Sequence, residues 1–231
     1  DIMIEKGFKS TTMRQISRDA GIGDATIYNY FPTKESILFA YYEDAINESI
    51  RKIKEIENFN TYTLHEQLQC FFESHFETFL NDREFVDMSF KMIFLSINQS
   101  FKEQKPIRDR FIDVIDDIIS AAVEVEEIPA QVFQDMIYYL FWDFYVGMIM
   151  YWLKDTSENF TDTTKLLDKS LDLFCSSLKA GLINKFVDIA SYFFKNHILN
   201  RIGGFTNHMD RFNSIKREFM DHAENRKNTR G

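Results

Sequence analysis

Proline, glycine and cysteine are all scarce: the chain has 3 Pro, 8 Gly and 2 Cys in 231 residues. So few breakers leave room for few turns, and continuous β-branched alternation is equally scarce, so the segments between turns are long and the expected fold is all-α. Cys70 and Cys175 lie inside apolar helical patterns without framework spacing. That excludes a disulfide scaffold, and both read as small buried hydrophobes. Positive charge is also short, with 27 Lys and Arg against 36 Asp and Glu and a net charge of −9, which excludes a general nucleic-acid coat.

Catalytic and cofactor signatures are missing too. There is no Gly-rich phosphate loop, Ser-centred elbow, CxxC or HExxH, and no carboxylate pair stands out among the many helical Asp and Glu. His65, His75 and His197 lack partners at ligand spacing. Neither an enzyme, a cofactor nor a metal site is expected. The opening Asp1-Ile-Met-Ile-Glu-Lys-Gly7 shows no basic n-region and no cleavage site, so a cytoplasmic location is expected. One long apolar run exists, Met136 to Leu153, close to the ~20 residues that span a bilayer. Its single charge, Asp143, would cost about 3 kcal/mol in lipid, so the run reads as a helix buried on several sides and no membrane partner is expected.

What glycine and proline there are crowd into one place, Gly21-Ile-Gly-Asp-Ala-Thr-Ile-Tyr-Asn-Tyr-Phe-Pro32. Before it, Met13, Ile16 and Ala20 share one helical face, with Thr11 or Thr12 as N-cap and Gly21 as terminator. Asp24 is placed to cap a second short helix carrying Ile27, Tyr28 and Phe31, closed by Pro32. Two short helices joined by a Gly-containing turn make a helix-turn-helix. The outer face of the second helix shows Thr26, Asn29 and Tyr30, with Lys34 following, side chains that bond phosphates or base edges. This end is locally neutral: Lys6, Lys9, Arg14, Arg18 and Lys34 balance Asp1, Glu5, Asp19, Asp24 and Glu35.

Gly7-Phe8, Thr11-Thr12, Ile16, Ala20-Gly21-Ile22, Ile27-Tyr28, Tyr30-Phe31 and Lys34-Glu35 in this register closely resemble the N-terminal DNA-binding domain of the TetR family of bacterial repressors. The resemblance covers roughly the first 55 residues. It departs at Ser17, where Ala is usual, and at Asp24-Ala25, where Ser, Lys or Arg and then Gly are common. The resemblance implies a double-stranded DNA operator as partner, with Thr12, Thr26, Tyr28, Asn29, Tyr30 and Lys34 as the contacting residues. It also implies a long helix from about Glu35 to Glu57 that links the reader to a ligand pocket, and a homodimer built on the last helices of the core.

The expected organisation is a DNA-binding domain with its connecting helix over 1–57 and a helical ligand-binding and dimerisation domain over 58–231. Helices are expected near 64–81, 84–99, 106–126, 130–154, 163–180, 184–200 and 206–224, with Pro106 and Pro129 at helix starts. With 24 Phe, 10 Tyr, 9 Met and 2 Trp, the larger domain suits a small hydrophobic or aromatic ligand. Its expected walls are Phe72, Phe76, Phe90, Phe94, Phe111, Phe141, Trp142, Asp143 and Tyr145. Asp143 is either a paired core carboxylate or a counter-charge for a cationic ligand. The functional expectation is a ligand-responsive regulator, a repressor released from its operator by a small hydrophobic molecule. The rival is a lipid carrier on a TetR-like fold without DNA binding.

Overall fold

Hydroxyl side chains set where several helices begin. Thr12, Thr33 and Thr63 each accept a bond from the backbone N–H three residues on, and the side chains of Gln15, Ser36 and Glu66 bond back to the cap N–H. These boxes open α2 (Met13–Asp19), α4 (Lys34–Lys54) and α5 (Leu64–Leu80), and each cap stabilises its helix by about 1 kcal/mol. The computed structural model describes residues 2–94 and 104–193. Among the described residues there are ten α-helices and no strand; the others are α1 (Ile2–Lys6), α3 (Asp24–Tyr30), α6 (Arg83–Ile93), α7 (Lys105–Glu124), α8 (Gln134–Lys154), α9 (Thr161–Lys179) and α10 (Leu182–Phe193).

The all-α expectation holds. Pro106 lies in the first turn of α7, where its missing N–H costs little. Pro129 does not begin a helix. Glu126 takes a left-handed φ of 60° just past α7, and the Gln131 amide bonds the Pro129 carbonyl at 2.6 Å, so that stretch is a loop and α8 starts later than its periodicity predicts. The expected helix at 206–224 lies outside the described residues. Cys175 is buried as expected, whereas Cys70 is half-buried.

Residues up to Gly181 form one compact unit, and a second begins at Leu182. In the first unit α5 is central, packed by α4, α6, α7 and α9. Leu68, Phe71, Phe72 and Phe79 of α5, Phe111, Ile115 and Ile119 of α7 and Phe141, Tyr145, Ile149 and Trp152 of α8 are all at most 1% exposed, with Phe71 and Phe72 against Phe111, Phe72 near Tyr145 and Phe79 near Trp152. Each such side chain contributes about 1.5–3 kcal/mol by leaving water. Because α4 packs on both α5 and α7, no break in compactness falls at 57/58. In the second unit, α10 exposes Leu182, Phe186, Ile189 and Tyr192.

A polar chain crosses this aromatic core. The Ser49 hydroxyl on α4 donates to the Ala45 carbonyl at 2.8 Å and lies 2.9 Å from His75 Nδ1. His75 Nε2 lies 2.7 Å from the Tyr145 hydroxyl on α8. With the serine proton committed to Ala45, Nδ1 carries the imidazole proton and Tyr145 donates to Nε2. Burial pushes the His75 pKa down to about 3, so the ring stays neutral when folded and takes up a proton on unfolding at any pH below about 6.5. The folded form therefore loses stability as pH falls from about 6.5 toward 3, by up to about 1.4 kcal/mol per pH unit. His75→Gln should be less stable at pH 7, and by pH 4.5 its deficit should narrow by about 2–3 kcal/mol. Urea denaturation at both pH values measures this, and a constant deficit would contradict it.

Candidate functional site

The reading head is built by α2 and α3. Gly21 takes a φ of +68°, and its N–H and that of Ile22 bond back to Arg18 and Ser17, so the chain leaves α2 sharply as a left-handed terminator allows. Ile27, 2% exposed, pins α3 inward. Around the outer face stand Thr26, Tyr28, Asn29 and Tyr30, all exposed, with Tyr30 75% accessible. Thr12 is exposed at the N-terminus of α2. Five of the six residues expected at DNA are therefore brought onto one accessible head.

Several local readings change. Thr12, not Thr11, is the α2 cap; Thr11 is buried and donates to the Gly7 carbonyl at 2.9 Å. Ala20 is exposed, and Ser17 takes the inward position instead. Tyr28 is 52% exposed although it adjoins buried Ile27, since successive residues lie about 100° apart around a helix. Asp24 does not cap α3: Gly23 holds that place without a side-chain bond, and Asp24 is the first helical residue. Lys34, the sixth expected contact, is half-buried, and its ammonium donates to the Phe8 carbonyl at 2.6 Å and lies 4.5 Å from the Phe8 ring centroid. It clasps the turn before α2 to the start of α4.

The aromatic residues expected to line a cavity are largely brought together, as a packed cluster. Phe111 lies 4.5 Å from Tyr145 and 5.8 Å from Trp142 between ring centroids. Phe72 adjoins Phe111 and Tyr145, and Phe94 links Trp142 to Phe90. Phe76 stacks on Trp152, and Phe141 turns to Phe174 of α9. Asp143 is the clear correction. It is exposed, because Phe141, Trp142 and Tyr145 occupy the inward positions and residue 143 points away from all three. It is neither a buried paired carboxylate nor a wall of this cluster. His75, without partners at metal-ligand spacing, has hydrogen-bond partners 26 and 70 residues away.

A different set of residues bounds an opening of about 370 Å³ between α4, α5 and α7. Ile50, Ile53, Phe59, Val114 and Ile118 make its apolar walls, and Lys54, Arg110 and Asp117 its charged rim. Arg110 is oriented by its Nε, which donates to Asn47 Oδ1 of α4 at 2.7 Å. The site thus pairs apolar volume with two cations, Lys54 on the helix that follows the reading head and Arg110 on α7. Among the described residues no His, Cys, Asp and Glu group could hold a metal, and no described helix is long and apolar enough to cross a membrane.

Comparison with known proteins agrees with this architecture. The fatty acid metabolism regulator protein of Bacillus subtilis (strain 168) is 24% identical over 131 residues, which cover 55% of this chain and 66% of that protein, just under two thirds of its length. The fatty acid degradation regulator FadR from Bacillus halodurans shares the fold at a TM-score of 0.57, with 18% identity over 74% of this chain and 91% of the other. The FadR of Bacillus subtilis in complex with stearoyl-CoA does so at 0.54, with 21% identity over 78% and 93%. A family model for bacterial regulatory proteins of the tetR family matches residues 1–41, and one for the tetracyclin repressor-like C-terminal domain matches residues 67–193. The second alone spans more than half of the sequence, and the chain belongs to the TetR family of bacterial transcriptional regulators.

Proposed function

We propose that this protein is a homodimeric repressor that leaves its operator when a long-chain acyl thioester of coenzyme A fills the opening between α4, α5 and α7. The observation that carries the reading is the position of that opening. Ile50, Ile53 and Lys54 of its wall belong to the same helix whose other end follows the reader. An acyl chain suits the apolar walls, and the phosphates of the nucleotide suit Arg110 and Lys54. The stearoyl-CoA held by the Bacillus subtilis FadR supports this choice of ligand class. Release needs only that the ligand favour a setting of α4 in which the two reading heads no longer match major grooves about 34–36 Å apart. In this reading residues 1–57 act as the reader with its lever, and 58–231 as the sensing and dimerising part.

Electrophoretic shift with duplex DNA from upstream of its own gene tests the reading. A shifted band that disappears with stearoyl-CoA, but not with coenzyme A alone, is expected. Arg110→Ala with Lys54→Ala should raise the stearoyl-CoA concentration needed by about tenfold or more, as loss of charge-assisted bonds implies. A band indifferent to stearoyl-CoA would exclude this ligand class, and acyl-CoA retention without any DNA shift would favour a carrier.

On the reader, Asn29 is central to the exposed face and has an amide able to bond adenine twice. Asn29→Ala should relax preference at one base pair of each half-site, by about 1–3 kcal/mol. Selection from random DNA measures it; an unchanged consensus would remove Asn29 from base reading.

The dimer surface proposed is the outer face of α8 with α9. Met136, Tyr139, Leu140, Met150 and Tyr151 of α8 and Leu166 and Leu173 of α9 are each at least 37% exposed, an apolar area rarely left in water. Light scattering should give twice the 27.5 kDa chain mass. Leu140→Asp with Leu173→Asp should halve it, and a monomeric unaltered protein would overturn the assignment.

A further inference from the structure

The two places where the reading head departs from the family pattern face each other. Ser17 on α2 is completely buried, and its hydroxyl lies within hydrogen-bond reach of Asp24 Oδ1 and 2.9 Å from the Arg14 carbonyl. Asp24 Oδ2 accepts from Arg14 Nε at 3.1 Å. One carboxylate on the first residue of α3 therefore ties two points of α2. Gly23 before it contributes no side-chain cap, so this tie fixes the start of the reading helix where a capping hydroxyl is missing. The bonds from Ser17 and the charges of Arg14 and Arg18 lower the Asp24 pKa, so the carboxylate is ionised at neutral pH.

Arg14 itself sits at the surface, with 69% of its side chain accessible. A guanidinium so placed on a helix that crosses DNA is within the general reach of phosphates, yet here one of its N–H groups is already committed to an adjacent carboxylate.

We propose that Asp24 is a positioning residue of the DNA reader: through Ser17 it sets α3 against α2, and through Arg14 it withholds a cation from the phosphate backbone. The inference rests on the DNA-binding reading above. In consequence Arg14 adds no counter-ion release on binding, and the head reads DNA with weaker sequence-independent attraction than its count of basic residues implies.

Salt titration of full-length protein against the upstream duplex tests this, because each phosphate neutralised adds about 0.9 to the slope of log affinity against log salt. Arg14→Ala alone should leave the slope unchanged. Asp24→Asn, which keeps an acceptor for Ser17 but frees the guanidinium, should steepen it by about one unit, and adding Arg14→Ala to that variant should return it. Ser17→Ala leaves the charge pair and should keep the slope while relaxing the site selected from random DNA. A flatter slope for Arg14→Ala alone, or an unchanged slope for Asp24→Asn with its helicity intact, would overturn the proposal. If Asp24→Asn does not fold, the Arg14→Ala slope and the Ser17→Ala selection decide it. A complete lack of DNA binding by the unaltered protein would instead remove the function on which it rests.

Discussion

The neutral imidazole of His75 is the constraint on which the rest of the first compact unit depends. It is enclosed by Phe71, Phe79 and Tyr145, and it stays there only because Ser49 and Tyr145 satisfy both ring nitrogens. An imidazole without those partners would leave buried polar groups unpaired, at about 1–3 kcal/mol each. The three residues come from α4, α5 and α8, so satisfying one ring fixes the relative register of three helices. Hydrophobic packing alone tolerates small slides between helices; a polar chain with defined donors does not.

That register matters because α4 serves two neighbourhoods. Its first half carries Leu38 and Tyr42 into buried contacts, with the Tyr42 hydroxyl 3.1 Å from Ser89 of α6. Its second half supplies Ser49 to the polar chain and Ile50 and Ile53 to the opening beside α7. Arg110 reaches across to Asn47 between them. A rigid helix held at both ends moves as one body, which is the property the proposed release mechanism requires of it.

Much of this was legible in the chain. Gly21, Pro32 and the Thr caps locate the head, because turn chemistry is local and each residue acts within four positions of itself. The outward row Thr26, Asn29 and Tyr30 follows from helical period alone. What escaped the sequence depends on distance or on an ambiguous period. His75 looked partnerless because Ser49 and Tyr145 are remote in sequence. Asp143 looked buried because α8 is apolar on nearly every side, and a helix with no polar face gives no direction for its single charge. Phenylalanine content pointed to an aromatic-walled pocket; Phe72, Phe111 and Trp142 pack ring on ring, and the opening beside α4 is walled by Ile50, Ile53, Val114 and Ile118 together with Phe59.

The pairing of Ser17 with Asp24 makes the two positions interdependent. A change to alanine at position 17 alone would leave the carboxylate without its hydroxyl donor at the edge of an apolar contact, and a neutral residue at position 24 alone would leave Arg14 without its anion. Each single change leaves a group without the partner that the other residue supplies. The two positions are therefore coupled, and what one residue contributes depends on which residue stands at the other.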